Sequence, residues 1–190
     1  AGSSVRICNS NTASGQYSTV SGGYNNTASG CFSSISGGQC NTASSNNSTV
    51  SGGQCNTASS NDSTIGGGKC NTASCSYSTV SGGYINTASG PHAALGGGFC
   101  NIASGYDSTI GGGAQNIASN CFSTIAGGLE NTASEYFSTI GGGYKNTASC
   151  NYTTVSGGGN NTASEYSSTI AGGIGFLVIL FSAFCSTFLM

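Results

Sequence analysis

The chain has 190 residues, a formal net charge of −2 and only 4% charged residues, against roughly 25% in ordinary domains. That balance supplies no cationic surface for nucleic acid or for an anionic membrane. Its 33 Gly and abundant Ser would suit disorder, but a strict internal repeat argues for an ordered array.

In chain order, residues 1–10 fit the second half of a repeat unit, with Val5 in the apolar slot. From Asn11 to Gly175 a 15-residue unit then recurs eleven times without insertion or deletion. Its consensus is N-T-A-S-x-x-x-S-T-[VI]-[SG]-G-G-x-x, with Asn-Ile-Ala-Ser at Asn101 and Asn116. Residues 176–190 change composition and form one further, apolar unit.

Fifteen residues are too few for a helix pair but suit one coil of a β-solenoid. Two short alternating segments are predicted per coil, over positions 1–5 and 8–12. Asn, Ala, Ser and Val or Ile (positions 1, 3, 8 and 10) then point inward, and Thr and Ser at 2, 4 and 9 point outward. Gly-Gly at 12 and 13 is expected to supply the positive φ of one corner, and positions 5–7 form the other. All nine Tyr fall at positions 6, 7 or 14, so bulk is confined to corners. The fold class is therefore all-β, a β-solenoid (β-roll) of about eleven coils with two short strands each. At about 4.8 Å per coil the rod is about 50 Å long. One Val or Ile per coil contributes about 1.5–3 kcal/mol, while ordering costs about 1–2 kcal/mol per residue. Backbone ladders and inward Asn and Ser columns must carry much of the remainder.

At N-x-A-x-G-x-x-S-x-V-x-G-G, residues 11–175 resemble the head repeats of trimeric autotransporter adhesins and related fibre proteins. That resemblance implies left-handed β-rolls, surface attachment and a trimer. The cysteines and the 15-residue period depart from that family's repeats of about 14. The chain is also similar to ryegrass-type ice-binding β-rolls, which would imply ice binding on a flat, regular face.

The outward grid Thr12/Ser14, Thr27/Ser29, Thr42/Ser44, Thr57/Ser59 and Thr72/Ser74 is the candidate face for ice or a crystal surface. Strand propensity alone also explains these residues. Ten cysteines fit an oxidising compartment. Cys40, Cys55 and Cys70 share position 15 on consecutive coils, within disulfide range, although three in a column allow one pair. Cys8, Cys31, Cys75, Cys100, Cys121, Cys150 and Cys185 complete the candidate cross-links, with free or buried thiols as the alternative. Asn25, Asn46, Asn47, Asn61, Asn151 and Asn160 head Asn-x-Ser/Thr acceptors at corners. No metal or cofactor site is expected, since there is one His and no C-x-x-C. His92 has no credible Ser and acid partners, so no catalytic residue is assigned and no enzyme is expected.

No export signal is visible, and one removed before Ala1 is compatible with the sequence. The apolar tail is short for a membrane span and lacks flanking cations. It is expected to cap the solenoid or dock into the next subunit. Val5 with Phe176, Leu177, Val178, Ile179, Leu180, Phe181 and Phe184 would form that joint. The leading expectation is a structural subunit of an extracellular filament or surface fibre, whose partners are copies of itself and a host or environmental surface. An ice-binding solenoid and a trimeric adhesin head are the alternatives.

Overall fold

The computed structural model describes Ser4–Val5 and residues 10–178. Each coil carries two strands of two residues, and like strands of successive coils pair in parallel. One twelve-stranded sheet runs from Thr12–Ala13 to Leu177–Val178, the other from Ser4–Val5 to Thr169–Ile170. Every residue pairs with its equivalent in the next coil, as Thr42 with Thr57 and Val50 with Ile65. A one-residue slip would turn the apolar columns outward, so burial pins the register.

The strands form because β-branched Thr, Val and Ile suit a pleat whose inner side is closed. Between successive coils, Thr42 donates its N–H to Asn56 O at 2.8 Å and Ser51 donates to Ile65 O at 2.9 Å. The predicted inward columns are inside: Ala43, Val50, Ala58 and Ile65 are completely buried. Asn and Ser columns flank them, also buried. This is the two-strand β-solenoid that the period predicts, and no helix occurs among the described residues.

Two features go beyond the sequence reading. Position 14 adds a third ladder of single bridges, from Tyr24 with Gln39 through to Gly159 with Ile174. The corners turn on non-glycine residues: positions 7 and 15 are left-handed throughout, as at Asn47 (φ 55°), Cys55 (φ 55°) and Ile85 (φ 57°). These corner amides donate backward, Asn47 to Cys31 O and Cys55 to Gln39 O, both at 2.9 Å, whereas strand amides donate forward. The backward bonds offset the cost of a side chain at positive φ. The Gly-Gly expectation holds at the second glycine of every coil and at the first in part. Gly83 has φ 87° and a Cβ there would overlap Gly98 O. The first glycine is also at positive φ in several coils, as at Gly52 (φ 152°) and Gly97 (φ 145°), but not at Gly82, where a Cβ meets nothing within 4 Å.

Candidate functional site: the faces and edges of the rod

Asn at position 1 ties the coils together from inside. Asn86 donates from Nδ2 to Gly82 O of the preceding coil (3.0 Å) and to Gly98 O at the end of its own coil (2.9 Å). Its Oδ1 accepts the N–H of Asn101, and its own N–H reaches Asn71 Oδ1. Nearly every valence of the buried amide is used, which is what makes a buried polar column tolerable. The Ser column closes the 5–7 corner: Ser48 Oγ donates to Ser45 O at 2.6 Å. Ser18, Ser108 and Ser168 place Oγ in the same column without a partner.

The two outer faces are small and hydroxylated. Ser14, Ser29, Ser44, Ser59 and Ser74 are exposed. Thr27, Thr42, Thr57 and Thr72 are half-buried, and Thr12 is exposed. Their Thr column is in register from coil to coil until Ile102 and Ile117 interrupt it. Ile102 and Ile117 are the large side chains exposed on this face.

The corner segments 5–7 and 13–15 join the two sheets and therefore stand at opposite edges of the coil. The 5–7 edge is aromatic. Tyr17 stacks on Phe32 at 5.0 Å. A longer run starts at Tyr77 and His92, rings 4.9 Å apart, and continues through Tyr106 to Phe122. Phe122, Phe137 and Tyr152 stack nearly parallel, while Tyr136 and Tyr166 meet them edge-on. Tyr77 at 57% and Tyr166 at 56% exposure show that much of this strip faces solvent. Tyrosines at corners were legible one by one, but their union into a strip needed the coil geometry.

The cysteine column lies on the 13–15 edge. Cys55 stands between Cys40 and Cys70 of the neighbouring coils. Loss of surrounding water, then the two neighbouring sulfurs, push its pKa up. Asn25 Nδ2 reaches Cys40 Sγ at 3.6 Å. Cys31, on the opposite edge of the coil of Cys40, and Cys75, Cys100 and Cys121 in other coils are partly exposed free thiols. Cys150 differs from the expected surface set: its side chain is turned inside at position 5 and fully buried. It reaches no partner molecule without opening the coil. On the same 13–15 edge, Lys145 lies 3.3 Å from Glu130 and 5.0 Å from the Tyr144 ring. Hydrogen bonds to Tyr144 and then Glu130 raise its pKa.

Of the Asn-x-Ser/Thr acceptors, Asn25, Asn46, Asn47, Asn61 and Asn160 are exposed and Asn151 is half-buried. Asn47 Nδ2 donates to Asp62 at 3.0 Å, and Asn61 Oδ1 accepts from Ser45 Oγ at 2.8 Å. His92 lies 3.9 Å from Asp107. Among the described residues no group of three His, Cys, Asp or Glu is placed to hold a metal ion. Phe176 and Leu177 are exposed at the end of the described coils, and Val5 and Val178 are placed by their strands. Cys8, Cys185, Ile179, Leu180, Phe181 and Phe184 lie outside the described residues.

A family model described as the ubiquitous surface protein adhesin repeat matches residues 18–30. That segment spans one Val slot, one Gly-Gly corner and one N-T-A-S strand. The match and the solenoid agree with the β-roll repeats of trimeric autotransporter adhesins. No curated protein matches the chain. The chain is a structural repeat protein whose unit is similar to a surface-adhesin repeat.

Proposed function

We propose that this solenoid is a structural subunit of an extracellular filament or surface fibre, with its edges serving as contact surfaces. The observation that carries the reading is the unbroken register of both twelve-stranded sheets, combined with aromatic rings exposed along an edge. Such a rod is stiff, because each coil is bonded to both neighbours. The end strands Ser4–Val5 and Leu177–Val178 each have one neighbour among the described residues. An unpaired strand end is a template for another strand, so end-to-end stacking through Val5, Leu177 and Val178 fits this arrangement. The similarity to a surface-adhesin repeat supports placement outside the cell and contact with a host or environmental surface.

Negative-stain electron microscopy of the purified chain tests this reading. Uniform filaments or sheets of rods, dissociating into rods of about 50 Å, are the expected result. Single rods at every concentration overturn it. A three-fold particle favours the adhesin-head alternative, and inhibition of ice recrystallisation by single rods favours the ice-binding one.

A further inference from the structure

We infer that the two edges of the rod are complementary, and that copies of this chain pack side by side, parallel and in register, with the 13–15 edge of one against the 5–7 edge of the next. This rests on the filament reading above and specifies its lateral contact.

Charge is sorted by edge. Asp62, Asp107, Glu135 and Glu165 stand on the 5–7 edge, four of the five carboxylates in the chain. Lys69 and Lys145 stand on the 13–15 edge, where Glu130 shares Lys145. Packing the aromatic edge on itself would bring carboxylates together with no lysine between them. Packing it on the other edge brings opposite charges together.

The sorting is also in register. Asp62 and Lys69 belong to the coil 56–70, and Glu135 and Lys145 belong to the coil 131–145. Sideways translation of a copy, with no shift along the axis, therefore sets each lysine against a carboxylate. The apolar residues follow the same rule: Tyr77 shares a coil with Tyr84, and Phe122 shares one with Leu129. All four are at edges, and Tyr77, Tyr84 and Leu129 are exposed. Opposite edges of one coil differ in height by about half a 4.8 Å step, within reach of these side chains. Because the edges lie on opposite sides of the coil, repetition gives an open row of rods, not a closed ring.

Cysteine supplies an independent marker. Cys31 and Cys40 occupy opposite edges of the coil 26–40, and both are partly exposed. In the proposed row they face each other across the contact. With glutathione disulfide as oxidant, a cysteine thiolate attacks it and releases one glutathione. The second cysteine thiolate then attacks the mixed disulfide and releases the other, leaving one protein S–S bond.

The test mixes nitrogen-15-labelled and unlabelled full-length chains carrying Cys55→Ser, which removes the stacked neighbour of Cys40. After oxidation, Cys31–Cys40 disulfide peptides of mixed isotope content are expected to exceed any other inter-chain pair. In parallel, Lys69→Glu is expected to cut lateral association at least tenfold by sedimentation, and Lys69→Glu with Asp62→Lys to restore it. Circular dichroism checks that each variant folds. Filaments that form without mixed Cys31–Cys40 peptides and without response to Lys69→Glu overturn the lateral register and leave the filament reading standing. Wild-type chains that stay single rods overturn both.

Discussion

Asn86 Oδ1 accepts the backbone N–H of Asn101, one coil further along the rod, at 3.0 Å. This side chain completes a ladder between coils that the backbone leaves open at position 1. Replacing Asn86 with Ala would leave Gly82 O and the Asn101 N–H without the Asn86 side chain, and Gly98 O with the Tyr84 N–H alone. A loss of about 2–4 kcal/mol in local stability is expected, read as faster hydrogen exchange at Asn101 and its neighbours.

Asn86→Asp keeps the shape but removes the Nδ2 donors and sets a carboxyl against two carbonyl oxygens. Burial and those carbonyls raise its folded pKa above the unfolded value of about 3.9. A raised folded pKa means that the folded state holds the proton more tightly. The variant should therefore be closest to wild type below about pH 4 and lose stability as pH rises from there through the raised folded pKa. Urea denaturation at pH 3 and pH 7 measures this; equal deficits at both would remove the electrostatic explanation.

The paired glycines give a contrast within one corner. Gly83→Ala places a methyl group against Gly98 O and the Asn86 amide at φ 87°, and should cost about 2 kcal/mol or more. Gly82→Ala meets nothing within 4 Å and should change stability by less than about 0.5 kcal/mol. Paired thermal melts of the two variants decide the point.

Ile85 is a β-branched residue held at φ 57°. Asn tolerates that conformation because its short polar side chain can bond locally, and Asn25 and Asn160 already occupy the equivalent slot. Ile85→Asn should stabilise the coil by about 1 kcal/mol, seen as slower exchange at Ile85 and Tyr84.

Cys55 is the most exposed thiol of its column, yet its pKa is raised by lost hydration and by Cys40 and Cys70. At neutral pH less of it is thiolate, so alkylation should be slower than exposure alone suggests. Removing both neighbours with Cys40→Ser and Cys70→Ser should speed iodoacetamide labelling of Cys55 severalfold. An unchanged rate would show that the neighbouring sulfurs do not control it.

The inward columns were legible because alternation and a fixed period place Ala28 and Ile35 inside whatever the details of the turns. Left-handed corners were not, because Tyr17, Phe32, Cys40 and Ile85 have no intrinsic taste for positive φ. Tertiary bonds impose it, such as Cys40 N–H to Tyr24 O in the preceding coil. The third ladder escaped for a related reason. Position 14 varies among Tyr, Gln, Lys, Phe, Ala, Leu, Gly and Ile, so only backbone placement reveals it. At the edges, single residues such as Tyr136 and Phe137 were visible in sequence, but not their perpendicular contact at 4.5 Å.

The strict register of the two sheets has a further consequence for how such a rod changes over time. A whole coil can be removed or duplicated and every ladder closes again, since each strand meets a near-identical neighbour. Length is thus a variable that the fold leaves unconstrained, in steps of about 4.8 Å. The sorted edges supply what the interior lacks, a means of telling one coil from another. Gain of a coil between Lys69 and Lys145 alone would leave two mixed populations of rods out of step, so edge recognition would select copies of equal length.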